Sequence, residues 1–377
     1  MAAIEKLPPE LLETIFGYFC HDTTRNEMLI APDPRYGSAI YEWSPYSNLL
    51  ALAALCLTSR HLNHIATRLL YRHLYSRRWW HLATTLLARP DLACHARSLR
   101  ISNHVRPTKN DIDEELRKYF IERGHRRYLE RLPDPKGERR SERISRMAPI
   151  DFSGVNRHPA DPWAYAVVDV LVSLCPQIES LGLQLHWCKG EFNFTAPLPN
   201  LQHISLAIPD DDTLAPIVDN PTIQKAAQSL TSLAVVFGGP RSFLRPNVKY
   251  PNLKTLEYRE SYMNAQRLDE ILRQCPNLET FRYQMGHKRN IARAFLQFGV
   301  PEAGELIIRH LPRIKSVHLH CRGSADWDGC WREDEVDRLR DELTQRGVQF
   351  TFSDPEFVAL ARGGLRSCVI MSPNPLK

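Results

Sequence analysis

His318, His320, Cys321 and Cys330 are the residue types that hold zinc, yet no Cys-x-x-Cys pair accompanies them. Buried reduced thiols and exposed histidines are the expectation there, with no metal. The acidic run Asp210-Asp211-Asp212 lacks the alternating ligands of a calcium loop and reads as the cap of a helix starting near Thr213. Gly238-Gly239 is followed by Pro240 and reads as a turn, not a phosphate cradle. No Gly-x-Ser-x-Gly elbow occurs, and no cysteine carries a nucleophile signature. These patterns argue for no catalysis and no cofactor. What remains is a set of polar side chains at interleaved positions: Gln184, His186, His203, Glu257, Arg259, Arg282, Gln284, His318 and His320. Their mixed charge and imidazole content suits recognition of a folded protein or peptide better than of a polyanion.

Those residues fall within an internal repeat. The template Pro-x-[Leu/Ile]-x-x-[apolar]-x-[apolar] recurs at Pro176–Leu183, Pro199–Leu206, Pro251–Tyr258, Pro276–Tyr283 and Pro312–Leu319. A copy without proline runs Gln228–Val235, and Cys94–Ile101 reads as an early one. From Pro176 the starts are spaced by 23, 29, 23, 25 and 36 residues, four of the five within the range of a leucine-rich repeat. The end of each copy predicts a short strand with alternate apolar residues inward, such as Leu256 and Tyr258. The proline, having no N–H, is expected at the strand entrance. Helices between the strands are expected at Ala164–Leu174 and Ala265–Cys275. Stacked units of this kind share one continuous core. The polar positions then line the concave face of a parallel sheet, with helices on the convex face.

Ahead of the repeats, residues 7–19 read LPPELLETIFGYF. Prolines suit a first helical turn, and Leu11, Leu12, Ile15, Phe16 and Phe19 form a wide apolar stripe. The nine apolar residues Leu49–Leu57 end at Thr58-Ser59, good N-caps, and Leu62, Ile65, Ala66, Leu69 and Leu70 follow at helical spacing. Three short helices are expected, too few to bury all of that apolar surface by themselves.

The order LPPELLETIF, LLALAALCLTSRHLNHIA, LLYRHLY resembles an F-box, the helical motif that binds the Skp adaptor of cullin–RING ubiquitin ligases. The second half of the motif falls on Leu52, Leu55, Cys56, Ser59, Arg60 and Leu62. The resemblance implies adaptor contacts at Leu7, Pro8, Glu10, Leu11, Leu12, Ile15 and Phe16, and in the second half at Leu52, Leu55, Cys56 and Leu62. It departs from the family at the long stretch His21–Asn48 and at Leu62, which stands where an aromatic is common. The segment Leu86–Ile101 also resembles the junction between F-box and first repeat in fungal proteins of this kind. The fold implied is α/β: a three-helix F-box-like bundle followed by an irregular leucine-rich-repeat solenoid. The function implied is a substrate receptor, with an unknown target protein held by the repeats.

With 377 residues and 43.5 kDa, the chain is too long for one compact domain of ordinary size. We read a head at 1–75 with an insertion at 21–48, a junction and first repeat at 76–102, and a charged excursion at 103–160, partly disordered. Repeats are expected over 161–354 and a peripheral tail over 355–377. Residues 117–146 hold 11 Lys/Arg against 5 Asp/Glu, a surplus equal to the +6 of the whole chain. Beside the acidic residues Asp111, Asp113, Glu114 and Glu115 this reads as a solvated bipolar segment. Trp79-Trp80 is expected to pack between the bundle and the first repeat. The longest apolar run is half a membrane span, and nine cysteines lack dense spacing, so a cytoplasmic or nuclear protein is expected. Two rival readings stand beside the receptor: a leucine-rich scaffold whose head is only a cap, and a nucleic-acid binder working through 117–146.

Overall fold

The computed structural model describes residues 7–24, 30–32, 39–41, 52–76, 78–102, 107–130, 132, 163–184, 196–207, 221–236, 248–261, 263–285, 299–320 and 333–353. The fold is α/β, and among the described residues nine strands run parallel. The chain forms two compact units, Met1–Leu206 with Asp219–Ala226, and Ala207–Val218 with Ala227–Lys377.

The first unit opens with helix α1 (Pro9–Thr24), a helical turn at 52–56, and α2 (Arg60–Arg72). Proline at the first helical position costs no bond, and the amides of Leu11 and Leu12 donate to the Pro8 carbonyl. Ser59 caps α2, its Oγ accepting from the Leu62 amide at 3.3 Å. Leu12, Phe16, Leu52, Leu62, Ile65 and Leu69 form one buried cluster, with Leu7, Leu55 and Leu70 packed at its margin. Burying side chains of this size contributes about 1.5–3 kcal/mol each. Inside the stretch read as an insertion, α1 continues to Thr24, and β1 (Ile30–Pro32) pairs antiparallel with β2 (Ala39–Tyr41).

α2 leads directly into β3 (His73–Ser76), a strand where the sequence suggested the end of the helical head. β3 pairs in parallel with β4 (Ser98–Ser102), and β4 with β5 (Ser180–Gln184); β6 (His203–Ala207) follows. Between these strands lie α3 (Trp79–Ala88), α4 (Pro90–Ala93), α5 (Glu114–Glu122), α6 (Arg126–Glu130) and α7 (Trp163–Leu174), and α8 (Pro221–Ala226) comes after β6.

The charged excursion holds a folded piece. Trp79 and Trp80 are buried, and Trp79 lies 5.6 Å from Phe120 and 6.3 Å from Tyr128 between ring centroids. Trp79 therefore packs on helices of the excursion itself, a contact the expected place between bundle and first repeat did not include. What seats those helices is a buried ion pair on α7. The Asp169 carboxylate, 2% exposed, accepts from Arg123 Nε and Nη2, both at 2.8 Å, and lies 2.9 Å from His125 Nε2. Tyr119 Oη and Ser173 Oγ add a hydrogen bond at 2.9 Å. Residues 103–106, 131 and 133–160 of the excursion lie outside the described residues.

The second unit repeats strand and helix: β7 (Ser232–Val236), β8 (Thr255–Ser261), α9 (Ala265–Gln274), β9 (Thr280–Met285), α10 (Val300–His310), β10 (Ser316–His320), α11 (Glu333–Gln345) and β11 (Gln349–Ser353). Consecutive strands pair in parallel from β7 to β11. Both helices anticipated from the pattern are present, α7 and α9, to within a residue of the expected ends. Neighbouring helices are tied by Asp269 on α9, whose Oδ1 lies 2.7 Å from His310 Nε2 on α10.

The repeated proline does its work one step earlier than expected. In Cys175-Pro-Gln-Ile178, Leu198-Pro-Asn-Leu201, Tyr250-Pro-Asn-Leu253, Cys275-Pro-Asn-Leu278 and Leu311-Pro-Arg-Ile314 the fourth amide donates to the first carbonyl. Proline thus occupies the second position of a β-turn, where its fixed φ is favourable, and the strand begins four residues later. The early copy closes the same turn without proline, Ala96 donating to Ala93. The following asparagine joins adjacent repeats: Asn252 Nδ2 donates to the Gln228 carbonyl at 2.6 Å and Asn277 Nδ2 to the Pro251 carbonyl at 2.8 Å. Asn200 Nδ2 donates to Gln177 Oε1 at 2.8 Å in the first unit.

Candidate functional site: the polar strand face and the apolar head

Alternation along each parallel strand puts apolar residues on one face and polar ones on the other. On β10, Val317 and Leu319 are buried while Ser316, His318 and His320 are half-buried. On β9, Phe281 and Tyr283 are buried and Arg282 is exposed. Because the strands pair in register, these positions line up across the second unit: Ala234, Glu257, Arg282, His318 and Thr351 form one row. Thr255, Thr280, Ser316 and Gln349 form the row before it, and Gln284, His320 and Ser353 one after it.

Both of the first two rows are hydrogen-bonded across strands, and the central one carries single charges of both signs. His318 Nδ1 lies 2.5 Å from Thr351 Oγ1, and Thr280 Oγ1 lies 3.0 Å from Ser316 Oγ. Burial, reinforced by the Arg282 guanidinium, holds the His318 imidazole below its ordinary pKa, with Glu257 acting in the opposite direction. Its ring is therefore biased towards the neutral form, able to donate from one nitrogen and accept at the other. Glu257 was expected to stand open on the face. It is 8% exposed, engaged in interactions, and unavailable as a protruding acid.

In the first unit, His203 is half-buried, and burial lowers its pKa against the pull of Glu179. Gln184 keeps its register with Ser102, and Arg259 its register with Val236; their side chains lie outside the described residues, as does His186 altogether. The structure adds Arg100, which pairs in register with Tyr75 on one side and Gly182 on the other. Burial depresses its pKa to about 10, Tyr75 working against the shift. The sequence signal was available: Arg100 sits between Leu99 and Ile101 in the early repeat copy, the position that Arg282 holds between Phe281 and Tyr283.

The residues assigned to the apolar head separate into two groups. Leu12, Phe16, Leu52 and Leu62 are 0–4% exposed and belong to the bundle's own core, so in this structure they offer no outward contact. Helical geometry forces the division: α2 packs on one side of α1, while Leu11 and Ile15, one turn apart on a neighbouring side, stay 45% and 36% exposed. Pro8 and Glu10 are exposed, and Leu7 and Leu55 are half-buried. Cys56 Sγ lies 3.5 Å from Thr67 Oγ1, a tie inside the head. Leu57, absent from the expected set, is 89% exposed.

Elsewhere, Thr84, Leu87, Asp113, Glu114, Lys118, Tyr119 and Glu122 line a shallow cleft between α3 and α5. Its Asp113 already caps α5, accepting from the Leu116 amide at 2.8 Å and from Thr84 Oγ1 at 2.7 Å. Among the described residues no cluster of three or more His, Cys, Asp or Glu could hold a metal; Cys321 and Cys330 lie outside them. No described helix is long and apolar enough to cross a membrane. Compared with known proteins, the chain matches no protein-family model and no curated sequence.

Proposed function

We propose that this chain is the substrate-recognition subunit of a Skp–cullin–F-box type ubiquitin ligase, held to the Skp adaptor by its helical head and to a target protein by the polar strand face. One observation carries the reading. Among the described residues four large apolar side chains are exposed, and three of them, Leu11, Ile15 and Leu57, belong to the small head. A head serving only as a cap has no reason to keep that surface in water, whereas a docking helix needs it. The motif LPPELLETIF supports the choice of partner by resemblance. The mixed donors, acceptors and single charges around Arg282 and His318 support a protein target. In this role the chain performs no bond chemistry. It raises the effective concentration of a target lysine beside a ubiquitin-charged enzyme.

The test is gel filtration of the full chain with a purified Skp-family adaptor. Co-elution of wild type and its loss in Leu11→Asp/Ile15→Asp support the proposal. Co-elution unchanged by the double substitution, or none with wild type, overturns it.

A further inference from the structure

One exposed face of the head is cationic and is used by neither surface above. On α2 the buried residues are Leu62, Ile65, Ala66 and Leu69; the residues Arg60, His64, Arg68 and Arg72, each four apart, are all exposed. At 1.5 Å per residue the stripe spans about 18 Å. Arg97 extends it, since its amide donates to the Arg72 carbonyl at 2.9 Å. Arg68 pairs with Glu13 at 3.8 Å, and Arg97 pairs with Glu179 at 3.4 Å while its Nη1 donates to the Cys94 and Ala96 carbonyls at 3.0 and 3.1 Å. The side chains of Arg60 and Arg72 form no ion pair or hydrogen bond among the described residues. Burial lowers the pKa of the neighbouring His95, with Arg68 and Arg97 adding to the shift and Asp91 opposing it.

We propose that this stripe is a docking surface for an acidic segment of a partner protein. His64 Nε2 accepts from Arg68 Nη2 at 2.7 Å, so the free charges of the stripe are its arginines. Alternate residues of an extended chain are about 6.7 Å apart, close to the roughly 6 Å from Arg68 to Arg72 and half the roughly 12 Å from Arg60 to Arg68, so an alternating acidic chain can meet all three. A nucleic acid fits it less well. Among the described residues no exposed Phe, Tyr or Trp is interleaved with the cations for base stacking. The assignment is independent of the adaptor reading, because it uses none of Leu11, Ile15 or Leu57.

The test uses the full chain and a fluorescein-labelled 12-residue peptide of alternating Glu and Ser, followed by fluorescence polarisation at 50 mM salt. Wild type is expected to bind saturably and to weaken as salt screens the contact. Arg60→Gln/Arg68→Gln/Arg72→Gln is expected to lose about tenfold in affinity, and the corresponding triple Lys variant to stay within about threefold. Leu11→Asp/Ile15→Asp should leave peptide affinity unchanged even if adaptor binding disappears, which separates this proposal from the previous one. Bound peptide should also raise the pKa of His95 in a proton NMR titration. No saturable binding, equal binding by the triple Gln variant, or tighter binding of a 12-nucleotide oligo-dT lost in that variant would each overturn the assignment.

Discussion

Replacing Asp169 with alanine removes a buried carboxylate against which Arg123 and His125 rest. The pair is bidentate, with both nitrogen–oxygen distances at 2.8 Å, and the acid is 2% exposed. Deleting one partner of a buried pair costs about 3–5 kcal/mol, mainly because the other charge is left without compensation. Arg123 keeps 24% of its side chain in water and can recover some hydration, so the lower end, about 3 kcal/mol, is expected. Urea unfolding followed by tryptophan fluorescence suits the question, since Trp79 rests on Phe120 beside the affected helix. Limited trypsin digestion gives a local reading, because Arg126 and Arg127 are exposed on α6. An opening equilibrium weakened by about 3 kcal/mol speeds cleavage there by about a hundredfold. The paired variant Asp169→Leu/Arg123→Met should recover most of the loss, since an apolar replacement of both partners is often neutral. A loss below about 1 kcal/mol with unchanged cleavage would refute the idea that this ion pair seats residues 107–130.

Other consequences follow from single contacts. Asn277→Ala should cost about 1 kcal/mol in unfolding free energy, and more than Asn252→Ala, because the Asn277 contact is part-buried and the Asn252 contact exposed. A Cβ at Gly304 on α10 would stand 2.6 Å from Leu339 Cδ1 on α11, so the Leu339 side chain must turn aside to admit one. Gly304→Ile should therefore destabilise by about 1–3 kcal/mol, and Leu339→Ala in the same chain should relieve part of it, as thermal melts would show. His95, His203 and His318 all have pKa values held below the ordinary 6.5 by burial. Each is protonated more readily when unfolded, so its stabilising contribution is complete above about pH 6.5 and falls as pH drops through that value. Denaturation midpoints between pH 7 and 5 should fall for wild type and fall less for His203→Gln/His318→Gln.

Much of the repeat region was legible because two signals reinforce one another. The apolar alternation in Leu256-Glu-Tyr258 and Phe281-Arg-Tyr283 fixes a strand and its inward face, and the Pro-Asn-Leu turn fixes where it starts. The same alternation located Arg282 and His318 correctly. It missed the burial of Glu257, because depth on a sheet face depends on what neighbouring strands place beside a residue. β3 was hidden because His73–Ser76 continues a helical pattern without a break, and only pairing with Ser98–Ile101 makes it a strand. The fold of residues 107–130 depends on contacts up to 54 residues apart, such as Tyr119 with Ser173, which no local period reveals. In the head, helical spacing identified an apolar stripe and could not say which half faces α2. That choice separates Leu12 and Phe16 from Leu11 and Ile15.

The most direct test of the central claim is hydroxyl-radical footprinting of the full chain with and without the Skp-family adaptor, read residue by residue by mass spectrometry. The account predicts that oxidation of Leu11, Ile15 and Leu57 drops sharply on adding the adaptor, while Ile121 on α5, 38% exposed, oxidises at an unchanged rate. Equal oxidation of Leu11 and Ile15 with and without saturating adaptor would contradict it.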